Sequence, residues 1–147
     1  MRVSKYMTQK LIVAASEMTV KQAFLTMRTH RVRHLPVVDG DTLVGIISDR
    51  DLRRPRWAET VDDWTSYYQI SEDITVKDVM TSHPEVVHTY DNILKAVAIF
   101  RERRYGALPV LDKDQSLVGI LSAQDLLLAL EELVQQAKSD KTRKKRK

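Results

Sequence analysis

Two pairs of serine and aspartate, each pair three residues apart, are the side chains best suited to chemistry. Ser48 and Asp51 lie in the sequence GIISDRDL, and Ser122 and Asp125 lie in GILSAQDL. Each pair follows a short aliphatic run, which predicts that a strand ends there and a helix begins. A helix N-terminus presents free backbone N–H groups and a partial positive charge, which suit a phosphate. The serine could donate to that phosphate, and the aspartate could accept hydrogen bonds from a ribose diol.

The same spacing has a second interpretation that needs no ligand. A serine followed three residues later by a carboxylate forms a capping box, which stabilises the first turn of a helix. The two roles are compatible, so the spacing alone leaves both open. The glycine at the start of each phrase would also let a flat base approach the backbone.

The two phrases differ in charge. Asp49 and Arg50 separate the first serine from its aspartate, whereas Ala123 and Gln124 occupy these positions in the second phrase. Arg50 could reach a phosphate, but Asp49 would repel one if it pointed inward. We therefore expect the second pair to be the stronger nucleotide site.

Basic residues also precede the first copy of a Leu-Pro pair that both halves of the chain share. The first copy has Arg33 and His34 there, and the second has Gly106 and Ala107. These basic side chains could bind a phosphate or could simply lie at a solvated strand edge.

These phrases belong to an internal repeat. Met7-Thr8 recurs as Met80-Thr81, an offset of 73 residues, and one extra residue in the later turn makes the offset 74 at the two serine phrases. The match extends over roughly 3–52 and 76–126. Such self-similarity indicates two copies of one structural unit. Two units of this size gain from a shared core, because a 60-residue domain buries only about 60% of its surface.

Each copy shows the same order of elements. Thr19 and Asn92 are helix N-cap types, and apolar residues at helical spacing follow both of them. The phrases LPVVD and LPVLD then predict short strands, and a turn joins each to a second aliphatic strand. Each copy is thus predicted to be an extended lead-in, a helix, two strands and a final helix.

The doubled pattern, LPVVD…LVGIISDRDL and LPVLD…LVGILSAQDL with a Met-Thr lead-in before each, resembles a tandem CBS domain pair. This is the cystathionine-β-synthase-type repeat, or Bateman module. The resemblance implies an α/β (α+β) fold of two βαββα-like repeats packed as a pseudo-twofold pair. The expected division is a first repeat over residues 1–56, an aromatic linker over 57–73, a second repeat over 74–137 and a disordered basic tail over 138–147.

Members of that family frequently bind adenosine-containing ligands in clefts between the repeats, and they often dimerise. The resemblance therefore implies no obligatory cofactor but an adenine nucleotide as a regulatory ligand. It places the base near Val13-Ala14 and Val86-Val87 and beside Leu35 and Leu108. In this context nucleotide binding becomes the favoured role of the serine–aspartate pairs. The candidate ligand-binding residues are Ser48, Arg50, Asp51, Ser122, Asp125, Val13, Ala14, Arg33, His34, Leu35, Val86, Val87 and Leu108.

Composition argues against other classes of protein. The chain has no cysteine, which excludes disulfides and cysteine metal sites. Its four histidines lack zinc-like spacing, no serine has a recognisable base partner, and there is no GxxxxGK[ST] loop. No segment approaches the ~18 apolar residues of a membrane span. We expect a cytoplasmic protein without enzymatic activity.

Partners follow from the C-terminal part of the chain. Residues 126–134 carry apolar side chains on more than one helix face, which predicts a homodimer. Because no catalytic domain is expected, a regulatory signal would have to pass through this dimer or through an unidentified protein partner. The tail, KSDKTRKKRK, has seven Lys/Arg against one Asp, so the remaining chain is net acidic although the whole carries +4. Nucleic-acid binding is therefore not favoured. The alternatives are a dimerisation module without ligand and a nucleic-acid-associated protein that uses its tail.

Overall fold

The structure of the protein is a computed structural model that describes residues 1–53 and 73–144. These residues form six helices and seven short strands. The long helix, the hairpin and the final helix of each copy follow in the predicted order, and a short helix near the start of each copy was not predicted. The helices are α1 (Val3–Tyr6), α2 (Val20–His30), α3 (Asp49–Arg53), α4 (Val76–Val79), α5 (Ile93–Arg103) and α6 (Ala123–Lys144). The strands are β1 (Ala14–Ala15), β2 (His34–Asp39), β3 (Thr42–Ser48), β4 (Thr81–Ser82), β5 (Val87–His88), β6 (Ala107–Leu111) and β7 (Leu117–Ser122).

The strands form two small sheets that repeat the same pairing. One sheet has the order β1-β2-β3-β4, and the other has the order β5-β6-β7. In both sheets a two-residue strand runs parallel to the next one, and an antiparallel hairpin follows. The long helix of each copy, α2 or α5, connects the parallel strands. The predicted fold of two mixed α/β repeats is confirmed.

Equivalent sequence signals start the two long helices. The Thr19 side chain accepts a hydrogen bond from the Gln22 backbone N–H, and the Gln22 side chain accepts one from the Thr19 N–H. Asn92 caps α5 by accepting from the Leu94 N–H. Such caps satisfy N–H groups that the helix itself leaves unpaired.

The lead-in of each copy, the segment that contains Met7-Thr8 in the first and Met80-Thr81 in the second, pairs with the other copy, which the sequence repeat does not reveal. Strand β4 of the second copy pairs with β3 of the first, with Thr81 opposite Ile46. Thr8 of the first copy in turn exchanges two backbone hydrogen bonds with Ile120 on β7, at 2.8 and 3.0 Å. Each copy therefore completes the sheet region of the other.

The two hydrophobic cores follow this crossing. Val76 from α4 is fully buried in the core built around α2 and β2, and Val3 from α1 is fully buried in the core built around α5 and β6. Burying a valine or leucine side chain is worth about 1.5–3 kcal/mol. A division at residues 1–56 and 74–137 thus follows the repeat, whereas each packed core draws on both copies.

The glycines of the two serine phrases lie where the lead-ins cross. A Cβ atom built on Gly45 would be 3.0 Å from the Thr81 carbonyl oxygen, and one on Gly119 would be 2.9 Å from the Thr8 carbonyl oxygen. Both distances are too short for an unshifted contact. The close approach that these glycines permit is made by a neighbouring lead-in, where the sequence suggested a ligand base.

Helix α6 extends further than expected. It continues to Lys144, so residues 138–144 are helical where a disordered tail was expected. Extending an existing helix costs far less than nucleating one, and lysine and arginine are good helix formers. Residues 54–72, which include most of the expected aromatic linker over 57–73, and the last residues, 145–147, lie outside the described residues. No helix in the described part of the chain has the length and apolar character to cross a membrane.

Candidate functional site

Both serine–aspartate pairs form the reciprocal hydrogen bonds of a capping box. Oδ2 of Asp51 accepts from the backbone N–H and the hydroxyl of Ser48, at 2.7 and 2.9 Å, and the Asp51 N–H donates to Ser48 Oγ at 3.3 Å. Asp125 and Ser122 repeat this geometry at 2.7, 2.8 and 3.3 Å. The capping role is therefore present in both copies, and any ligand role is added to it.

A cavity of about 370 Å³, named the first cleft, opens beside the first of these pairs. Ligand pockets for small molecules typically enclose about 300–1,000 Å³. Both copies of the repeat line this cavity. The first copy contributes Arg33, His34, Ile46, Ile47, Ser48, Asp49, Arg50 and Asp51, and the second contributes Thr81, Arg104, Tyr105, Gly106 and Ala107.

A smaller crevice of about 30 Å³ adjoins the first cleft and shares four of its lining residues. It adds Pro84, Glu85 and Leu108, all from the second copy. Glu85 is paired with Arg103, whose Nε lies 3.2 Å from its carboxylate. The first cleft thus has a charged part near Asp51 and a more apolar part that leads toward Leu108.

The strand register explains why these residues meet. His34 is paired with Ser48 across the β2–β3 hairpin, and the Asp49 N–H donates to the Arg33 carbonyl at 2.9 Å. The start of β2 is thereby held beside the start of α3. Crossing of the lead-ins then brings Thr81 to the same place, because β4 pairs with β3.

His34 occupies the boundary between the copies. A Cβ atom on Gly106 would lie 2.5 Å from Nε2 of His34, so the imidazole lies directly over the glycine backbone. Burial lowers the pKa of His34 from its ordinary value, although the nearby carboxylates of Asp49 and Asp51 act in the opposite direction. The ring is therefore held mostly in its neutral form near neutral pH.

Five of the candidate ligand residues meet in the first cleft: Arg33, His34, Ser48, Arg50 and Asp51. A sixth, Leu108, lies 1% exposed in the adjoining crevice.

The other seven candidates do not line the first cleft or its crevice. Ala14, Leu35 and Val87 are fully buried in the two cores, Val86 is half-buried, and Val13 is 36% exposed. Ser122 and Asp125 occupy the pseudo-symmetric position at the start of α6.

Three polar residues of the first cleft received no site role from the sequence: Thr81, Arg104 and Tyr105. Arg104 and Tyr105 directly precede Gly106 and Ala107, the counterparts of the candidates Arg33 and His34, and this adjacency is the signal that could have identified them. Thr81 enters the cleft only because the lead-ins cross.

The described residues contain no group of three or more His, Asp or Glu side chains arranged to hold a metal ion.

Comparison with known proteins establishes the family. The profile of the CBS domain matches residues 3–56 and 76–132, which is most of the chain. The protein belongs to the CBS domain family and contains a tandem CBS pair. A CBS domain-containing protein from Dictyostelium discoideum is 31% identical over 130 residues, covering 85% of this chain and 88% of that protein.

Solved structures agree with this assignment. The crystal structure of CBSX2, a CBS-pair protein from Arabidopsis thaliana, is similar with a TM-score of 0.78 at 30% identity, covering 91% of this chain and 96% of that one. A crystal structure of CBSX2 in complex with AMP has a TM-score of 0.73 at 32% identity and covers 90% and 97% of the two chains.

Similarity to an enzyme is confined to one part of that enzyme. An inosine-5'-monophosphate dehydrogenase from Korarchaeum cryptofilum is 28% identical over 125 residues, which is 85% of this chain but 23% of the dehydrogenase. The matching part is the CBS portion of the dehydrogenase.

Proposed function

We propose that this CBS pair is a regulatory module that binds an adenine nucleotide in the first cleft. The nucleotide changes the shape of the pair or its association with a partner, and the chain itself catalyses no reaction. The observation that carries this proposal is the composition of the first cleft, which is lined by both copies of the repeat. A ligand that contacts both copies binds best to one relative placement of them, and binding therefore shifts the population toward that placement.

The contacts around Asp51 support a ribose site. Its Oδ2 is engaged by Ser48, but Oδ1 accepts no hydrogen bond from the residues that the structure describes. Oδ1 is therefore available to a ribose hydroxyl. The Ser48 hydroxyl already donates to Asp51, so its first task is to hold the carboxylate in place, and a direct contact with phosphate would require it to turn.

The charges and the apolar surface of the first cleft fit the remaining parts of a nucleotide. Arg33, Arg50 and Arg104 can form charge-assisted hydrogen bonds with phosphate oxygens. The exposed ring of Tyr105 and the crevice beside Leu108 offer an apolar surface for the base. The AMP complex of CBSX2 supports adenosine chemistry for this chain, because that protein shares the fold at 32% identity.

Ser122 and Asp125 make the same hydrogen bonds as the first pair, and we propose a second nucleotide site beside them. Ala123 and Gln124 remove the carboxylate and the guanidinium that flank the first pair. This second site should therefore be the stronger one for a ligand with a single phosphate, because no side chain at the position of Asp49 repels it.

A thermal-shift screen tests the proposed function. AMP, ADP, ATP and S-adenosylmethionine are compared with the corresponding guanine nucleotides as controls. A compound at about 100 times its Kd should raise the free energy of unfolding by about 2.7 kcal/mol, because it binds the folded state alone. Stabilisation by adenine compounds and not by guanine compounds is expected. If no adenosine compound stabilises the protein at millimolar concentration, the pair is a structural module and the proposal is wrong.

We also propose that the pair forms a homodimer through α6. Five apolar side chains of this helix are 44–58% exposed: Leu127, Leu128, Leu130, Leu133 and Val134. Exposed apolar patches of this kind mark interaction sites on globular proteins. A second copy presents the same helix, so the two faces can cover each other in a twofold contact.

A further inference from the structure

The first cleft carries three arginines that form no ion pair with the described part of the chain. Arg33 precedes β2, Arg50 lies on α3, and Arg104 ends α5 in a left-handed conformation. All three are exposed, and none pairs with a carboxylate in residues 1–53 or 73–139. Three guanidinium groups from three elements therefore line one cavity without being neutralised by those residues.

The carboxylates of the same cavity do not cancel this charge fully. Asp51 is held by Ser48, and Asp49 is the other acidic residue among the described residues that line the first cleft. These described lining residues thus carry three positive charges against two negative ones, in a chain whose body is net acidic.

This arrangement is not imposed by the repeat. By sequence correspondence, Gln124 replaces Arg50 at the pseudo-symmetric position, Gly106 replaces Arg33, and Ala123 replaces Asp49. Arg104 has a basic counterpart, Arg31, which ends α2 with the same left-handed backbone, φ 54° against 56°. Arg33 in turn is the counterpart of Gly106, so by this correspondence the pseudo-symmetric position has two arginines and one aspartate, and the third arginine of the first cleft, Arg50, has no basic counterpart there.

We infer that the first cleft selects nucleoside polyphosphates, of the ADP and ATP type, over nucleoside monophosphates. The inference rests on the proposed nucleotide function and makes its ligand more specific. One phosphate can engage one or two guanidinium groups, and it must also overcome repulsion by Asp49. A chain of phosphates can reach the arginines on both copies at once, so the third arginine contributes only when more than one phosphate is present.

Calorimetric titration of the full chain with ATP, ADP, AMP and S-adenosylmethionine, without Mg²⁺, tests the selection. In Asp125→Ala, which weakens the proposed second site, as in the wild type, we expect ATP to bind the first cleft at least about tenfold more tightly than AMP, which corresponds to about 1.4 kcal/mol. S-adenosylmethionine, which has a positive sulfonium in place of phosphates, should bind most weakly to the first cleft. If AMP binds the first cleft of Asp125→Ala as tightly as ATP does, the selection is wrong and the proposed function stands. If no adenosine compound binds, both are wrong.

Two variants and one matched control assign the effect to the first cleft. Arg50→Gln places the residue of the second copy at the equivalent position of the first, and Arg104→Gln removes the charge that the other copy supplies. Each should weaken ATP binding about tenfold and AMP binding less than about threefold. The control Arg31→Gln makes the same change at the same backbone conformation outside the first cleft, and it should keep the preference for ATP.

Two results would overturn this assignment. Equal losses of ATP and AMP affinity in Arg50→Gln would make the arginine a contact for any phosphate and would remove its role in selection. Loss of the ATP preference in Arg31→Gln, with Arg104→Gln unchanged, would move the polyphosphate site to the pseudo-symmetric position. Melting curves of all three variants show whether each one is folded before its titration is interpreted.

Discussion

The carboxylate of Asp51 accepts hydrogen bonds from both the backbone N–H and the hydroxyl of Ser48, at 2.7 and 2.9 Å. Asp125 and Ser122 have the same relationship in the second copy. The serine–aspartate spacing therefore recurs because each pair begins a helix. If the two pairs also bind a ligand, each does so through Oδ1 of its aspartate, which the capping hydrogen bonds do not engage.

Replacing the two aspartates distinguishes their role in capping a helix from their role in binding a nucleotide. Asp51→Ala and Asp125→Ala should each lower the free energy of unfolding by about 1 kcal/mol, because both lose a capping carboxylate. Each should also weaken nucleotide binding at its own site by roughly ten- to a hundredfold, the equivalent of about 1.5–3 kcal/mol. Calorimetric titrations beside melting curves measure both effects.

The two variants are matched controls for each other. Asp51→Ala should affect ATP binding most, and Asp125→Ala should affect AMP binding most. Equal destabilisation with unchanged affinity for every nucleotide would show that both pairs are only caps.

Local signals in the sequence predict the elements of each copy well. Thr19 and Asn92 start the long helices as their residue types indicate, and the Leu-Pro phrases form strands at the expected places. These features depend on neighbours within a few residues. The repeat itself then shows that the two copies share one fold.

Long-range pairing could not be predicted in the same way. The pairing of Thr81 with Ile46 and of Thr8 with Ile120 joins each lead-in to the other copy, and the sequence repeat would fit equally well if each lead-in paired within its own copy. Because the first cleft depends on this crossing, the sequence found Ser48 and Asp51 but not the residues that the second copy adds opposite them.

The crossing of the lead-ins predicts an effect of the glycines. Gly45→Ala and Gly119→Ala would each place a methyl group against a backbone carbonyl oxygen, at 3.0 and 2.9 Å. Strands β3 and β7 must then move away from the lead-ins, and overpacking of this kind costs about 1–3 kcal/mol. Urea unfolding measures the change in the free energy of unfolding.

Gly40→Ala separates this effect from a general intolerance of glycine replacement. Gly40 has a left-handed backbone, φ 59°, and a Cβ atom built on it would meet no atom of the described residues within 4 Å. Its replacement costs backbone strain without a clash, so it should leave nucleotide affinity unchanged. Gly45→Ala should also weaken nucleotide binding, because β4 carries Thr81 into the first cleft. Wild-type stability in both Gly45→Ala and Gly119→Ala would contradict the close approach.

The exposed face of α6 predicts the oligomeric state. Light scattering at micromolar concentration should give twice the monomer mass of 17.0 kDa. The double variant Leu127→Glu/Leu130→Glu should give the monomer mass, because it places two charges in the buried contact. Gln136→Glu adds a charge on the opposite side of the same helix and should leave the dimer intact. A wild-type mass of 17.0 kDa would rule out the proposed homodimer.

The basic C-terminal segment should not contribute to the fold or to the nucleotide site. Residues 138–147 contain no large apolar side chain that could join a core, and Ala129 is the last buried residue of α6 in the described part of the chain. Deleting this segment should change the free energy of unfolding by less than about 0.5 kcal/mol and should leave ATP affinity unchanged.

The same deletion tests the nucleic-acid alternative. Retention on immobilised RNA at low salt should fall, because seven of the chain's basic residues are lost. Loss of ATP binding at physiological salt would show that the segment belongs to the nucleotide site.

His34 predicts how stability depends on pH. Burial lowers its pKa below the ordinary value of 6.5, so the folded protein binds a proton at this site less readily than the unfolded chain does. The contribution of His34 to the free energy of unfolding is therefore fully present above about pH 6.5, and it is lost as the pH falls below that value toward the lowered pKa. The free energy of unfolding, measured from about pH 7.5 to about pH 5.5, should fall less in His34→Gln than in the wild type.

The comparison with a second variant isolates this contribution, because carboxylates elsewhere in the chain titrate over part of the same range. His30→Gln replaces an exposed histidine at the end of α2 and should keep the pH dependence of the wild type.

His34 lies against Gly106 and faces Asp49, Asp51 and Arg33, so a bound polyphosphate would add negative charge beside it. ATP should therefore reduce the loss of stability at low pH in the wild type but not in His34→Gln. An identical pH profile in all three proteins would show that the burial of His34 has no energetic consequence.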